Sequence, residues 1–164
     1  MREDVIVTTQ VRAAVKNILI FGEGAAENKA LDGYMPPDPE RFGFNAQVLI
    51  GDEADGLSDS FDVTVCTPSW FAAQVKAGIW DRFRSGSLRD MPESVVAGAT
   101  LWFMLRWNRQ EFETAVKAVC GDASPGPDWG SVACRIGRRI PWEFDYRYDE
   151  HINKHYGEPF PPTR

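Results

Sequence analysis

Cys66 is the first residue whose type and position could do chemistry. It closes the alternating run SFDVTVC, and the next residues, Thr67 and Pro68, are suited to the N-cap and first position of a helix. A helix N-terminus can lower the pKa of a thiol and make it nucleophilic. A cysteine nucleophile also needs a base, and the two histidines, His151 and His155, lie in the C-terminal tail. The pattern therefore favours a small, partly buried residue that closes a strand.

The two histidines could themselves form a metal site. They stand at positions i and i+4 of HINKH and would share one face of a helix. The zincin motif HExxH needs a glutamate where this chain has Ile152. The glycine-rich stretches match neither GxxxxGK[ST] nor GxGxxG between a strand and a helix. The sequence therefore predicts no metal site, no cofactor and no catalytic residues.

Negative charge is concentrated in one segment. The chain has a net charge of -6, and residues 38–62 contain seven acids against one base, Arg41. Phosphate binding needs clustered Lys and Arg, so this distribution argues against nucleic acid and favours a basic partner protein. The EF-hand calcium spacing is absent, which leaves a solvated hairpin loop or a partner-binding role. The predicted partner-binding acids are Asp52, Glu53, Asp55 and Asp59.

Trp80 is a further candidate for partner binding. It stands beside Arg82 and Arg84 in an irregular segment of the sequence. Tryptophan and arginine are enriched at the hot spots of protein interfaces. We therefore predict that Trp80 is an interface anchor.

Alternating apolar residues predict a β-hairpin in the first half of the chain. FGFNAQVLI, residues 42–50, and FDVTVC, residues 61–66, both have period two, and the glycine- and aspartate-rich GDEADGLSDS separates them. An earlier strand is predicted at 11–20, followed by a long loop over 22–40. Thr67 begins a helix that is predicted to end near Gly78.

The second half predicts another strand and two more helices. GATLWFMLRW, residues 98–107, is apolar on both sides, which predicts a central strand covered on both faces. Asn108 and Asp128 are the predicted N-caps of the helices. PWEFDYRY, residues 141–148, predicts a last strand. The class is α+β, with one domain over residues 1–164, a largely antiparallel sheet, about three helices packed mainly on one face, and a tail at 148–164.

The location of the protein follows from what the sequence lacks. No apolar run approaches the roughly 18 residues of a membrane-spanning helix, and MREDVIVTTQVRAAVKN has no apolar core of a signal peptide. The three cysteines form no CxxC pair. We expect a cytoplasmic protein with reduced thiols and no membrane contact.

The order of these pieces resembles the immunity protein 8 family over about residues 38–147. The similar pieces are FGFNAQVLIG, an acidic turn, DSFDVTVCTPSWFA, a strand, an aspartate-capped DW helix and PWEF. The most specific is FxVxVCTPxW, which begins at Phe61. The segments 22–40 and 148–164 lie outside the resemblance, and the insert at 80–98 is longer than its pattern leads us to expect.

The resemblance implies a protein that binds and blocks a cognate toxin domain of a bacterial polymorphic toxin system, with no catalytic residues of its own. The acidic segment would suit a basic toxin such as a nuclease. Two alternatives remain open on the residues alone. One is a small thiol-dependent enzyme that uses Cys66, and the other is a structural module that associates with itself.

Overall fold

The computed structural model describes residues 10–22, 29–76 and 101–144. The strands are β1 (Ala13–Gly22), β2 (Lys29–Ala30), β3 (Gly43–Asp52), β4 (Asp59–Cys66) and β5 (Leu101–Phe103). The helices are α1 (Pro68–Lys76), α2 (Arg109–Ala123) and α3 (Trp129–Gly137). The strands form one sheet in the order β2-β1-β3-β4-β5. Each neighbouring pair is antiparallel except β4 and β5, which confirms the predicted α+β class.

The middle of the sheet is the predicted hairpin. On β3 the alternate residues Phe44, Ala46, Val48 and Ile50 are at most 2% exposed. The first three pair with the buried Val65, Val63 and Phe61 of β4, in that order, and Ile50 pairs with Asp59, in an unbroken antiparallel register. Burial of each large apolar side chain contributes roughly 1.5–3 kcal/mol, so a slip by one residue would turn this whole row to the other face. The predicted strand at 11–20 is β1.

Helices α2 and α3 cover this apolar face. Asn108 Oδ1 accepts the backbone N–H of Glu111 at 3.1 Å, and Asp128 Oδ1 accepts that of Ser131 at 2.7 Å, which confirms both predicted N-caps. Each helix turns an apolar stripe towards the sheet, and the stripes join the strands in one buried cluster. The innermost helix residues are Phe112, Val116, Val132, Ala133 and Ile136.

Helix α1 lies towards the opposite face. Thr67 Oγ1 accepts the backbone N–H of Trp70 at 3.3 Å, so the predicted cap is confirmed. The Trp70 indole occupies the space that a Cβ on Gly43 would fill. Gly43 is next to Phe44 on β3, so the Cβ position of Gly43 faces the opposite side of the sheet. Helix α1 therefore covers one end of the face that α2 and α3 do not cover. Two of the three helices in the described residues thus share one face, as predicted.

The prediction of a central strand at 98–107 is wrong. Among the described residues β5 is short, occupies an edge of the sheet and runs parallel to β4, and α1 lies between these two strands in the sequence. Trp102 contacts Phe112 on the helix side, whereas Phe103 contacts Phe71 of α1 on the other. Both faces of β5 are therefore apolar because a helix lies over each, while Phe103 itself remains 54% exposed.

Two further predictions need correction. The loop predicted over 22–40 contains β2 and a 3-10 turn, Leu31–Gly33; a strand of two residues has too little alternation to be read from sequence. The strand predicted at 141–148 is reduced, in its described part, to one antiparallel bridge between Phe61 and Trp142. The proposed helix end at Gly78, Trp80, the histidines and the tail lie outside the described residues.

Candidate partner-binding site

The joint between β4 and α1 holds Cys66 as a buried residue. Its side chain is fully shielded from solvent, and this burial raises the pKa of the Cys66 thiol to about 11. At neutral pH the thiol is therefore protonated and weakly nucleophilic. Burial also raises the pKa of Cys120 to about 11. In the described ranges, no group of three or more His, Cys, Asp or Glu residues could hold a metal ion.

The turn between β3 and β4 presents the predicted acids in a fixed geometry. Asp52 Oδ1 accepts the N–H of Ala54 at 3.1 Å, and Asp55 Oδ1 accepts that of Leu57 at 2.9 Å. These bonds within the turn are the Asx type that aspartate favours. The turn folds back over the sheet so closely that the Leu57 carbonyl takes the place of a side chain on Gly51.

The turn is also tied to β1. Lys16 Nζ donates to the Asp55 carbonyl at 2.7 Å, and the N–H of Glu53 donates to the Arg12 carbonyl at 2.7 Å. These contacts use backbone oxygens and leave the carboxylate charges unneutralised. The ion pairs within residues 10–22, 29–76 and 101–144 are those of Arg109 with Asp32 and Glu113. The turn therefore carries net negative charge on an ordered support.

Asp59 differs from the other three predicted acids. It pairs with Ile50, and its carboxylate is on the helix-covered side, where Oδ2 accepts the indole N–H of Trp129 at 2.7 Å and that of Trp142 at 3.0 Å. Asp59 thus links the start of β4 to the start of α3 and to the segment after it. Its role in partner binding stays a prediction, as does that of Trp80, which lies outside the described residues.

The face of the sheet opposite α2 and α3, called the open face below, is only partly covered by the residues that the structure describes. Its rows follow from the pairing: Leu19, Gln47 and Asp62 lie side by side on β1, β3 and β4. The Thr64 hydroxyl donates to Asn45 Oδ1 at 2.7 Å in the next row. These residues are half-buried or exposed. The open face thus mixes amide, hydroxyl and aliphatic groups.

Two acids on the open face were not predicted as site residues. The segment 141–143 runs beside β4: the N–H of Asp62 donates to the Pro141 carbonyl, and that of Glu143 donates to the Ser60 carbonyl, both at 3.0 Å. Partial burial raises the pKa of Asp62, and the charge of Glu143 raises it further. The sequence could have indicated Asp62, because an aspartate within a strand and opposite its apolar face is unusual. Nothing in the sequence indicates that Asp62 lies near Glu143.

An apolar groove lies at the β5 edge of the sheet. It encloses about 890 Å³ between β5 and α2 and is lined by Trp102, Leu105, Arg106 and Phe112 among others. Leu105 is 86% exposed there.

In the parts of the chain that the structure describes, none of the helices has the length and apolarity needed to cross a bilayer.

Comparison with known proteins identifies the family. The family model for immunity protein 8 matches residues 23–146, which include every described strand and helix except β1. No curated protein and no solved structure shows a significant match to the chain. The match extends on both sides of the hairpin and the β4–α1 joint that carry the sequence resemblance. The chain therefore belongs to the immunity protein 8 family, the immunity proteins of a polymorphic toxin system.

Proposed function

We propose that this protein binds a cognate toxin domain and neutralises it by covering a surface that the toxin needs. The observation that carries the proposal is the family match over residues 23–146. Inhibition by binding requires a stable surface and no reacting groups of the inhibitor itself. The buried, protonated thiol of Cys66 gives no support to the alternative of a thiol-dependent enzyme.

The acidic turn supports a basic toxin, such as a nuclease, as the partner. Asp52, Glu53 and Asp55 lie on an ordered turn, and their charges are not compensated by ion pairs among the described residues. A charged patch of this kind steers an oppositely charged partner and raises association rates towards about 10⁸ M⁻¹s⁻¹ at low salt. Asp59 would add to this field, and Trp80 is retained as a proposed anchor.

Co-expression tests the proposal. The open reading frame beside this gene is induced in a bacterial host with and without the protein, and survivors are counted. We expect the neighbour to stop growth alone and the pair to restore it in the cytoplasm, where we propose that the protein acts. A harmless neighbour, or a toxic one that this protein does not counter, would refute the proposed function.

The contribution of the acidic turn is tested separately by its effect on association. In a variant with Asp52→Asn, Glu53→Gln and Asp55→Asn, we expect a slower association rate and a weaker dependence of that rate on salt. Asp122→Asn, an exposed acid on α2, is the matched control. An unchanged rate and salt dependence in the triple variant would refute the steering mechanism while leaving toxin binding intact.

A further inference from the structure

We infer that the open face of the sheet is the surface that receives the toxin, and that Asp62 and Glu143 together bind a basic side chain of the toxin there. The inference rests on the proposed function and assigns it a surface. The role of this pair differs from that proposed for the acidic turn. The turn would attract the toxin at long range, whereas Asp62 and Glu143 would contact it directly in the complex.

The uneven covering of the sheet is the first observation. On the side of α2 and α3 the alternate residues of β3 and β4 are almost completely buried. On the open face, α1 covers one end, next to Gly43, whereas the row of Leu19, Gln47 and Asp62 remains half-buried or exposed. The open face therefore presents both aliphatic and hydrogen-bonding groups on three strands in continuous register at this row.

The position of Asp62 is the second observation. Aspartate is disfavoured inside β-strands, yet Asp62 is central in β4, between its backbone partners Gln47 and Pro141. Its acidic neighbour is Glu143, and neither makes an ion pair with any described basic residue. Beside them the Ser60 hydroxyl is buried and makes no hydrogen bond within the described residues. Two carboxylates and a hydroxyl therefore lie together without a described counter-charge.

The Asp62 and Glu143 carboxylates are held in place by the surrounding backbone, which makes the pair suitable for binding. Glu143 Oε1 accepts the backbone N–H of Ser60 at 2.6 Å, which fixes the orientation of its carboxylate. Asp62 is held by the strand itself and has few rotamers to lose. A lysine or arginine placed between the two carboxylates would relieve their mutual repulsion and gain charge-assisted hydrogen bonds. Preorganised acceptors of this kind add affinity because little entropy is lost on binding.

Charge also discriminates between occupants of the open face. In a symmetric dimer the same patch meets itself, so a second copy would bring another Asp62 and Glu143 towards this pair. Such like-charge contacts oppose association. A basic protein surface has the opposite effect, and the acidic turn at the same end of the hairpin would attract it. The occupant that fits is therefore a basic toxin and not another copy of this chain.

The test compares affinity and stability in the same variants. Asp62→Asn with Glu143→Gln removes both charges and preserves the shapes and the acceptor for the Ser60 N–H. Binding to the purified protein product of the neighbouring reading frame is measured by calorimetry, and stability by urea unfolding. We expect Kd to rise by about tenfold or more, mainly through faster dissociation. The urea midpoint should change little, because the relief of repulsion between Asp62 and Glu143 offsets the weaker bond from the Ser60 N–H. Asp122→Asn should leave Kd within about twofold.

The outcomes separate the inference from the function on which it rests. If the unmodified protein does not bind the neighbour's product, the proposed function fails. If it binds and the double variant binds equally well, the function stands and the open-face inference is refuted. Leu105→Ser probes the groove between β5 and α2; loss of binding there, with the double variant unaffected, would place the toxin on that groove. A dimer that forms only after the two charges are removed would support the argument from repulsion.

Discussion

Replacing Asp59 with alanine is expected to lower the free energy of unfolding by about 2–4 kcal/mol. The carboxylate accepts two indole N–H groups, those of Trp129 at 2.7 Å and Trp142 at 3.0 Å. A hydrogen bond to a charged group contributes roughly 1.5–3 kcal/mol, and two bonds to one oxygen are not fully additive. Alanine would also leave two partly buried donors without their acceptor. The loss is a large share of the 5–15 kcal/mol typical of a folded domain.

Urea unfolding followed by circular dichroism at 222 nm measures this effect. Circular dichroism is preferred because the substitution itself changes the emission of the two tryptophans. Glu53→Ala, an exposed acid of the neighbouring turn, serves as the control and should change stability by no more than about 0.5 kcal/mol. Asp59→Asn keeps an acceptor oxygen without the charge, so its loss should fall between those of the other two variants.

A double-mutant cycle isolates the bond to one indole. Trp142→Phe removes the N–H and retains an aromatic ring beside Phe61, with which Trp142 stacks at a centroid distance of 6.3 Å. We expect Asp59→Ala to cost about 1–2 kcal/mol less in the Trp142→Phe background than in the unmodified chain. Equal costs in both backgrounds, or an Asp59→Ala variant as stable as the control, would show that these contacts contribute nothing to stability and refute the reasoning.

Three other predictions follow from single contacts. The pKa of Asp62 is raised from its ordinary value of 3.8 because folding disfavours its charged form. The stability contributed by the protonated carboxyl is therefore fully present below that pH and is lost as pH rises through the folded pKa. Asp62→Asn should stabilise the protein at pH 7 by about 0.5 kcal/mol or less and have no effect near pH 3, as urea titrations at the two pH values would show. Gly51→Ala places a methyl group against the Leu57 carbonyl and should lower stability by about 1–3 kcal/mol in the same assay, whereas Gly56→Ala, with no atom within 4 Å, should not. Cys66, with a buried thiol of pKa about 11, should react with a thiol reagent only as fast as the chain unfolds; rapid modification of the native protein at pH 7 would contradict its scaffold role.

Local features of this fold were predictable because the residues that form them are close in sequence. The caps at Asn108 and Asp128 act over three residues, and the row from Phe44 to Ile50 is set by period two alone. The edge position of β5 was not predictable, because apolar residues on both sides of a strand indicate two covered faces but not what covers them. Here one cover is α1, whose Phe71 meets Phe103.

The site depends on contacts between distant residues, which a single sequence does not reveal. Asp52, Glu53 and Asp55 were found from composition and lie together on the turn. Asp59 has the same composition signal, yet its indole partners are 70 and 83 residues away. The proximity of Asp62 to Glu143 likewise depends on a bridge between distant segments, in which Ser60 and its partner Glu143 are 83 residues apart.

The outer side of β4 is completed by two segments that are synthesised at different times. Residues 64–66 pair with β5, whereas Asp59, Phe61 and Asp62 receive their partners from residues 141–143. At about 5–20 residues per second, a ribosome needs roughly 4–17 seconds to add the 83 residues between Asp59 and Trp142. During this interval a nascent chain has an open strand edge, of the kind on which unfinished sheets aggregate. The same step brings Glu143 to Asp62, so the proposed contact surface is completed only when the edge is closed.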